Sequence, residues 1–174
     1  ICLLITSMAS EHFRLNLREQ NIQLNEFVSN LQYYCQIPEK SSFLLLDKVT
    51  DDLGIEHLRY QQYYNKIKIE HAILQIHAKD NIVQSMSGWV MKSEPELNLN
   101  RTLSDKQDEN TMYIKVGDKY RIARKLTKGS YYVYIDIETG DELNRIPLFN
   151  YANVQGKAET MYSGWQEMTT YEHE

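Results

Sequence analysis

HLRYQQYYNKIKIEHAILQIHAKDNIVQSMSGWV, residues 57–90, is the stretch whose reading decides the fold. Leu58, Tyr60, Gln62 and Tyr64 alternate with His57, Arg59, Gln61 and Tyr63, the period-2 pattern of a strand with one face packed. Asn65-Lys66 and Asp80-Asn81 fall where turns are needed. Between them Ala72, Leu74 and Ile76 alternate with Ile73, Gln75 and His77, and Val83 follows the second turn. The pattern predicts three strands and two tight turns, a curled antiparallel meander.

Outward from it, helical spacing begins at Ile22: Leu24, Phe27, Val28, Leu31 and Cys35 fall on one face. Pro38 ends this helix. Phe43-Leu44-Leu45-Leu46 opens a strand that runs out at the turn Asp51-Asp52-Leu53-Gly54. Residues 11–21 are polar with scattered leucines and read as loosely ordered. One amphipathic helix laid across four antiparallel strands makes an α+β unit.

The string Arg59-Tyr60-Gln61-Gln62-Tyr63-Tyr64, followed by Ile67, Ile69, Ala72, His77 and Ser85-Met86-Ser87-Gly88, resembles the fungalysin/thermolysin propeptide motif. That motif marks the pro-regions of secreted zinc metallopeptidases. Three positions depart from it: Lys66 and His71 stand where the family has Gly, and Lys68 where it has Pro. Lysine at the turn removes easy access to positive φ.

Beyond the meander, residues 92–110 shift to Ser, Asn, Pro and charge, the composition of a linker. Alternation returns in Met112–Val116, in Tyr120–Leu126 after Gly117-Asp118, and in Tyr131–Ile137. Glu138-Thr139-Gly140-Asp141 is a hairpin turn with Gly140 able to take the left-handed position, and Leu143 and Ile146 begin the return strand. Tyr120-Arg121-Ile122-Ala123 and Tyr134–Leu143 are similar to the PepSY-like part of the same pro-regions. Gly156–Thr170 resembles the opening strands of the mature peptidase domain, which puts activation cleavage around Phe149 to Gln155. At the other end, Ile1–Ile5 followed by Ser7-Met8-Ala9 resembles the tail of a secretory signal; the alternative is an apolar first strand of a truncated chain. The run is too short to span a bilayer.

The expected organisation is therefore a signal remnant at 1–9, a propeptide-type domain at 10–91, a linker at 92–110, a truncated PepSY-like module at 111–148, and connector plus peptidase start at 149–174. The expected fold class is α+β: an N-terminal helix on a curled, cystatin-like antiparallel sheet, followed by a second small antiparallel β module.

Little in the chain points to chemistry of its own. Net charge is −5 with no basic run, which argues against nucleic acid. No His-Glu-x-x-His occurs. Glu172-His173-Glu174 ends before a second His could follow, and His71 and His77 lack further ligands. Asp51-Asp52 and Asp105, Asp108 and Glu109 lack a calcium loop's alternation and glycine. Cys35, on the apolar helix face, reads as a small hydrophobe. No catalytic and no metal residue is expected, and no cofactor in this chain. The resemblance implies zinc, with calcium as a further candidate, in a catalytic domain beyond it.

The resemblance also implies a role and a partner. The chain is expected to be secreted, extracellular or periplasmic in transit, and to act as intramolecular chaperone and inhibitor of a cognate zinc metallopeptidase domain in cis. The alternative is a free-standing secreted cystatin-like binding or inhibitor module. The family-motif residues Arg59, Tyr60, Gln61, Gln62, Tyr63, Tyr64 and Gly88 admit two readings. They satisfy backbone groups and fill the core, or they form the contact surface for the peptidase domain.

Overall fold

The computed structural model describes residues 12–95 and 108–148, with the backbone of 152–160 and 164–172. The signal remnant, the linker residues 96–107, residues 149–151 of the connector, and His173 and Glu174 lie outside the described residues. The chain divides into two compact units, Ile1–Ala123 and Arg124–Glu174.

In the first unit β1 (His12–Asn16) leads through a 3-10 turn (Arg18–Gln20) to α1 (Leu24–Ser29) and α2 (Leu31–Cys35). β2 (Ser41–Thr50), β3 (Ile55–Tyr64), β4 (Ile67–Lys79) and β5 (Ile82–Trp89) follow as an antiparallel meander. Then come β6 (Thr111–Val116) and β7 (Lys119–Lys128), the latter running past Ala123, the last residue of this unit. Where polar residues had suggested a loose segment, β1 pairs with β5, Phe13 facing Gly88. Where one helix was expected, Asn30 breaks it in two. Gln36 then takes the left-handed C-cap position at φ 51° ahead of Pro38.

The helices cover one face of the sheet. Phe27, Leu31 and Cys35 pack with Leu58 and Tyr60 of β3, Leu74, Ile76 and Ala78 of β4, and Val83 and Met86 of β5. The helix start is pinned to the β4–β5 turn: the Leu24 N–H donates to the Asn81 carbonyl (2.8 Å), and the Asn81 amide to Gln23 Oε1 (2.8 Å). Burial pushes the Cys35 thiol up to about 12, so at neutral pH it is an inert packing group.

The sheet corrects the expected fold class. It is neither closed nor curled: the run β2-β3-β4-β5-β1 leaves β2 and β1 as open edges. It is mixed rather than antiparallel, because β6 pairs in parallel with the start of β4, Lys68 to Met112 and Ile69 to Tyr113. The second set of strands therefore does not begin as a separate antiparallel module. Alternation in sequence cannot distinguish a hairpin return from the long connection over 90–110 that allows a parallel neighbour. The β2 edge leaves Leu44, Leu45, Leu46 and Val49 exposed, each about half accessible.

The break in β4 explains how one strand serves two neighbours on the same side. Tyr63 pairs with Lys68, but Gln61 pairs with Ile73, so residues 69–72 bulge opposite Gln62. Before the bulge β4 meets β6; after it β4 meets β5. His71 makes the bulge at φ 64°, and the β3–β4 turn places Asn65 at φ 48° and Lys66 at φ 66°. Lys66 and His71 thus adopt the left-handed backbone that glycine would reach without strain.

In the second unit β8 (Tyr131–Asp136) and β9 (Glu142–Pro147) form a hairpin, as do the backbones of β10 (Ala152–Thr160) and β11 (Gly164–Glu172). At the β8–β9 turn Gly140 has φ 81°, and Asp136 Oδ1 accepts from the Glu138 N–H at 2.7 Å.

A non-glycine residue at left-handed φ costs about 1–2 kcal/mol, partly offset by glycine's greater unfolded-state entropy. Lys66→Gly and His71→Gly are each expected to stabilise the protein by about 1 kcal/mol. Thermal unfolding followed by circular dichroism should show a rise of about 2–4 °C per substitution.

Candidate functional site

The polar-aromatic string occupies the second half of β3, and its side chains part by face. Tyr60 and Tyr64 are buried, Tyr63 is half-buried and Arg59 is exposed. Tyr64 meets Tyr113 of β6 edge-on, ring centroids 5.8 Å apart.

The two glutamines are buried, and their side-chain amides bond mainly to backbone. The Gln61 Nε2 amide donates to the carbonyls of Ile69 (2.7 Å), Gln62 (2.9 Å) and Ala72 (3.1 Å). It fills the β4 bulge and supplies the donors that strand pairing would otherwise provide. Gln62 acts as a short piece of strand: its Oε1 accepts from the Met91 N–H (2.8 Å), while Nε2 donates to the Met91 carbonyl (3.0 Å) and to Ser41 Oγ (3.3 Å). It thereby ties the chain beyond β5 to the start of β2 through β3.

Gly88 serves the same packing from β5. It has φ 152°, and a Cβ there would stand 2.3 Å from the Ile73 carbonyl oxygen and 2.9 Å from Leu74 Cα. Only glycine lets β5 approach the far end of the bulge.

On the helix-free face the bulge assembles a group that alternation alone did not reveal. Without it, the turn register that pairs Tyr64 with Ile67 would set His57 opposite Leu74. With the three-residue offset, His57 pairs with His77. Their Nδ1 atoms lie 2.8 Å apart, and His57 Nε2 lies 3.0 Å from Asp51 Oδ2. Asp51 also caps its own turn, accepting from the N–H groups of Leu53 (2.9 Å) and Ile55 (2.8 Å). Asp51, His57 and His77 thus form a hydrogen-bonded relay at the sheet surface. His71, by contrast, is exposed at the bulge and takes no part.

Burial foremost, then the charges of His57 and Arg14, hold the His77 imidazole below the usual histidine range. The His57 hydrogen bond, followed by the backbone N–H of Ile55, holds the Asp51 carboxyl below its usual range. Among the described residues no group of three or more His, Cys, Asp or Glu could hold a metal ion. Nor is any described helix long and apolar enough to cross a membrane.

The family model of the Fungalysin/Thermolysin Propeptide Motif matches residues 41–89. This region of the chain carries that propeptide motif. The match runs from the first residue of β2 to the last of β5, so it encloses the bulge, both glutamines, the histidine pair and Gly88. No curated protein matches the chain.

Gln62→Leu keeps volume but leaves the Met91 N–H and carbonyl buried without partners, and is expected to destabilise by about 2–4 kcal/mol in urea titration. For pH, His77 is depressed in the folded state, so its contribution to stability is present above the unfolded histidine range. It falls away as pH drops through the folded value. Stability is therefore expected to decline on acidification from pH 7.5 to about pH 5, and His77→Gln should flatten that part of the profile.

Proposed function

We propose that this chain is the pro-region of a secreted zinc metallopeptidase, which templates folding of the peptidase domain and occupies its cleft until proteolysis separates them. The observation that carries the reading is the propeptide motif over residues 41–89. Such motifs are typical of secreted peptidases, which favours an extracellular setting. In the proposed organisation residues 10–91 form the propeptide-type domain, 92–110 the linker and 111–148 a truncated PepSY-like module. Residues 149–174 are the connector and peptidase start.

Two physical features support a partnered role. The β2 edge carries exposed Leu44, Leu45, Leu46 and Val49, the kind of apolar strand edge that proteins normally cover or blunt. Arg59 and Tyr63 leave the core and remain available for contact, whereas Gln61 and Gln62 are spent on the sheet. Tethering does the rest: a partner domain in cis meets an effective concentration of the order of millimolar. A modest intrinsic affinity then keeps the peptidase occupied, and cutting the connector removes the advantage.

Rising concentrations of the folded chain added to its cognate mature peptidase should progressively suppress casein hydrolysis, while chain incubated with zinc alone should hydrolyse none. Unchanged peptidase activity, or chelator-sensitive hydrolysis by the chain itself, would contradict the proposal.

A further inference from the structure

The chain carries net charge −5, yet the formally charged side chains lining two hollows on the helix-free face of its first unit are all cationic. The hollows are open, of about 410 and 540 Å³, and share His77 and Ser85. Arg18 and Lys79 line the first; Arg14, Ile73 and Trp89 line the second. No carboxylate lines either hollow. Among the described residues, Arg14, Arg18 and Lys79 have no salt-bridge partner, whereas Lys48 pairs with Glu56 and Lys68 with Glu70. The acid beside the first hollow, Asp51, is taken up by His57 and two backbone N–H groups.

We propose that this face binds an extended acidic peptide segment, its carboxylates received by Arg14, Arg18 and Lys79 and its apolar side chains resting on Ile73 and Trp89. Uncompensated cations gathered on one face attract an anionic partner and fix its register. Their division between two hollows favours a chain with spaced carboxylates over one compact anion. Gln75, Gln84, Ser85 and Ser87 offer hydrogen-bonding groups between the charges. The apolar floor separates this ligand from a purely ionic one.

Acidification should strengthen the binding. The charged and titratable groups toward His77 are Arg14 and His12 from β1, Arg18 from the 3-10 turn, His57 with Arg59 from β3, and Lys79 from β4 itself. Asp51 lies behind His57, and Asp47 of β2 stands opposite Arg59. β5 presents only neutral groups there. A carboxylate placed beside His77 opposes the positive charges that disfavour its protonation, so binding takes up a proton. The inference does not rest on the pro-region reading.

The test is calorimetric titration of the full chain with a short synthetic peptide alternating glutamate and leucine, beside its glutamine counterpart and inorganic phosphate. The glutamate peptide is expected to bind, weaken with added salt, and bind about 3- to 10-fold tighter at pH 6 than at pH 8. The glutamine peptide should not bind. Arg14→Gln and the Arg18→Gln/Lys79→Gln pair should each weaken binding about tenfold or more. Lys128→Gln, an exposed cation outside the hollows, should leave it unchanged. Thermal unfolding confirms that each variant is folded, and the wild-type comparison of the two peptides decides the matter without variants. Absence of glutamate-peptide binding at low salt, equal binding of the glutamine peptide, equal effects of Lys128→Gln, or displacement by phosphate at matched concentration would overturn the proposal.

Discussion

One side-chain amide holds the first unit in register. Residues 69–72 leave the β3–β4 ladder, and buried carbonyls that leave a ladder must find donors elsewhere. Gln61 reaches into the bulge and supplies them to Ile69 and Ala72. A leucine of similar size would leave those carbonyls without that donor, at about 1–3 kcal/mol each. Everything downstream in β4 is offset by three residues as a result.

That offset has consequences on both faces. On the helix side it sets Leu74 and Ile76 beside Tyr60 and Leu58, giving α1 and α2 a continuous apolar floor. On the other side it brings His57 to His77 and shapes the hollows around them. It also frees the start of β4 to accept β6, which makes the sheet mixed and open. Gly88 is required for a related reason, since β5 must cross close to Ile73 just beyond the bulge.

Part of this was legible in the sequence. Strict alternation in Leu58–Tyr64 and Ala72–His77, and the Asp80-Asn81 turn, mark β3, β4 and β5 because a half-buried strand writes its period into polarity. The helical stripe from Leu24 to Cys35 was equally plain, although Asn30 interrupts it. The bulge was not legible. His71 and Lys66 hide the positive φ that glycine would have announced, so counting from the turn assigns His57 the wrong neighbour. The His57–His77 contact was missed for that reason. The parallel β4–β6 pair was missed because it depends on a long connection rather than on any local pattern, and the curled antiparallel sheet was expected in its place. β1 escaped because its half-polar surface position mutes the alternation of Phe13 and Leu15.

The fold turns on the β3–β4 register, and register can be read directly. Two-dimensional NMR of the full chain should show nuclear Overhauser contacts between the imidazole protons of His57 and His77, whose ring centroids lie 4.9 Å apart, and between the backbones of the same two residues. Contacts from His57 to Leu74 instead, with none to His77, would mean an unbulged ladder and would contradict the account at its root.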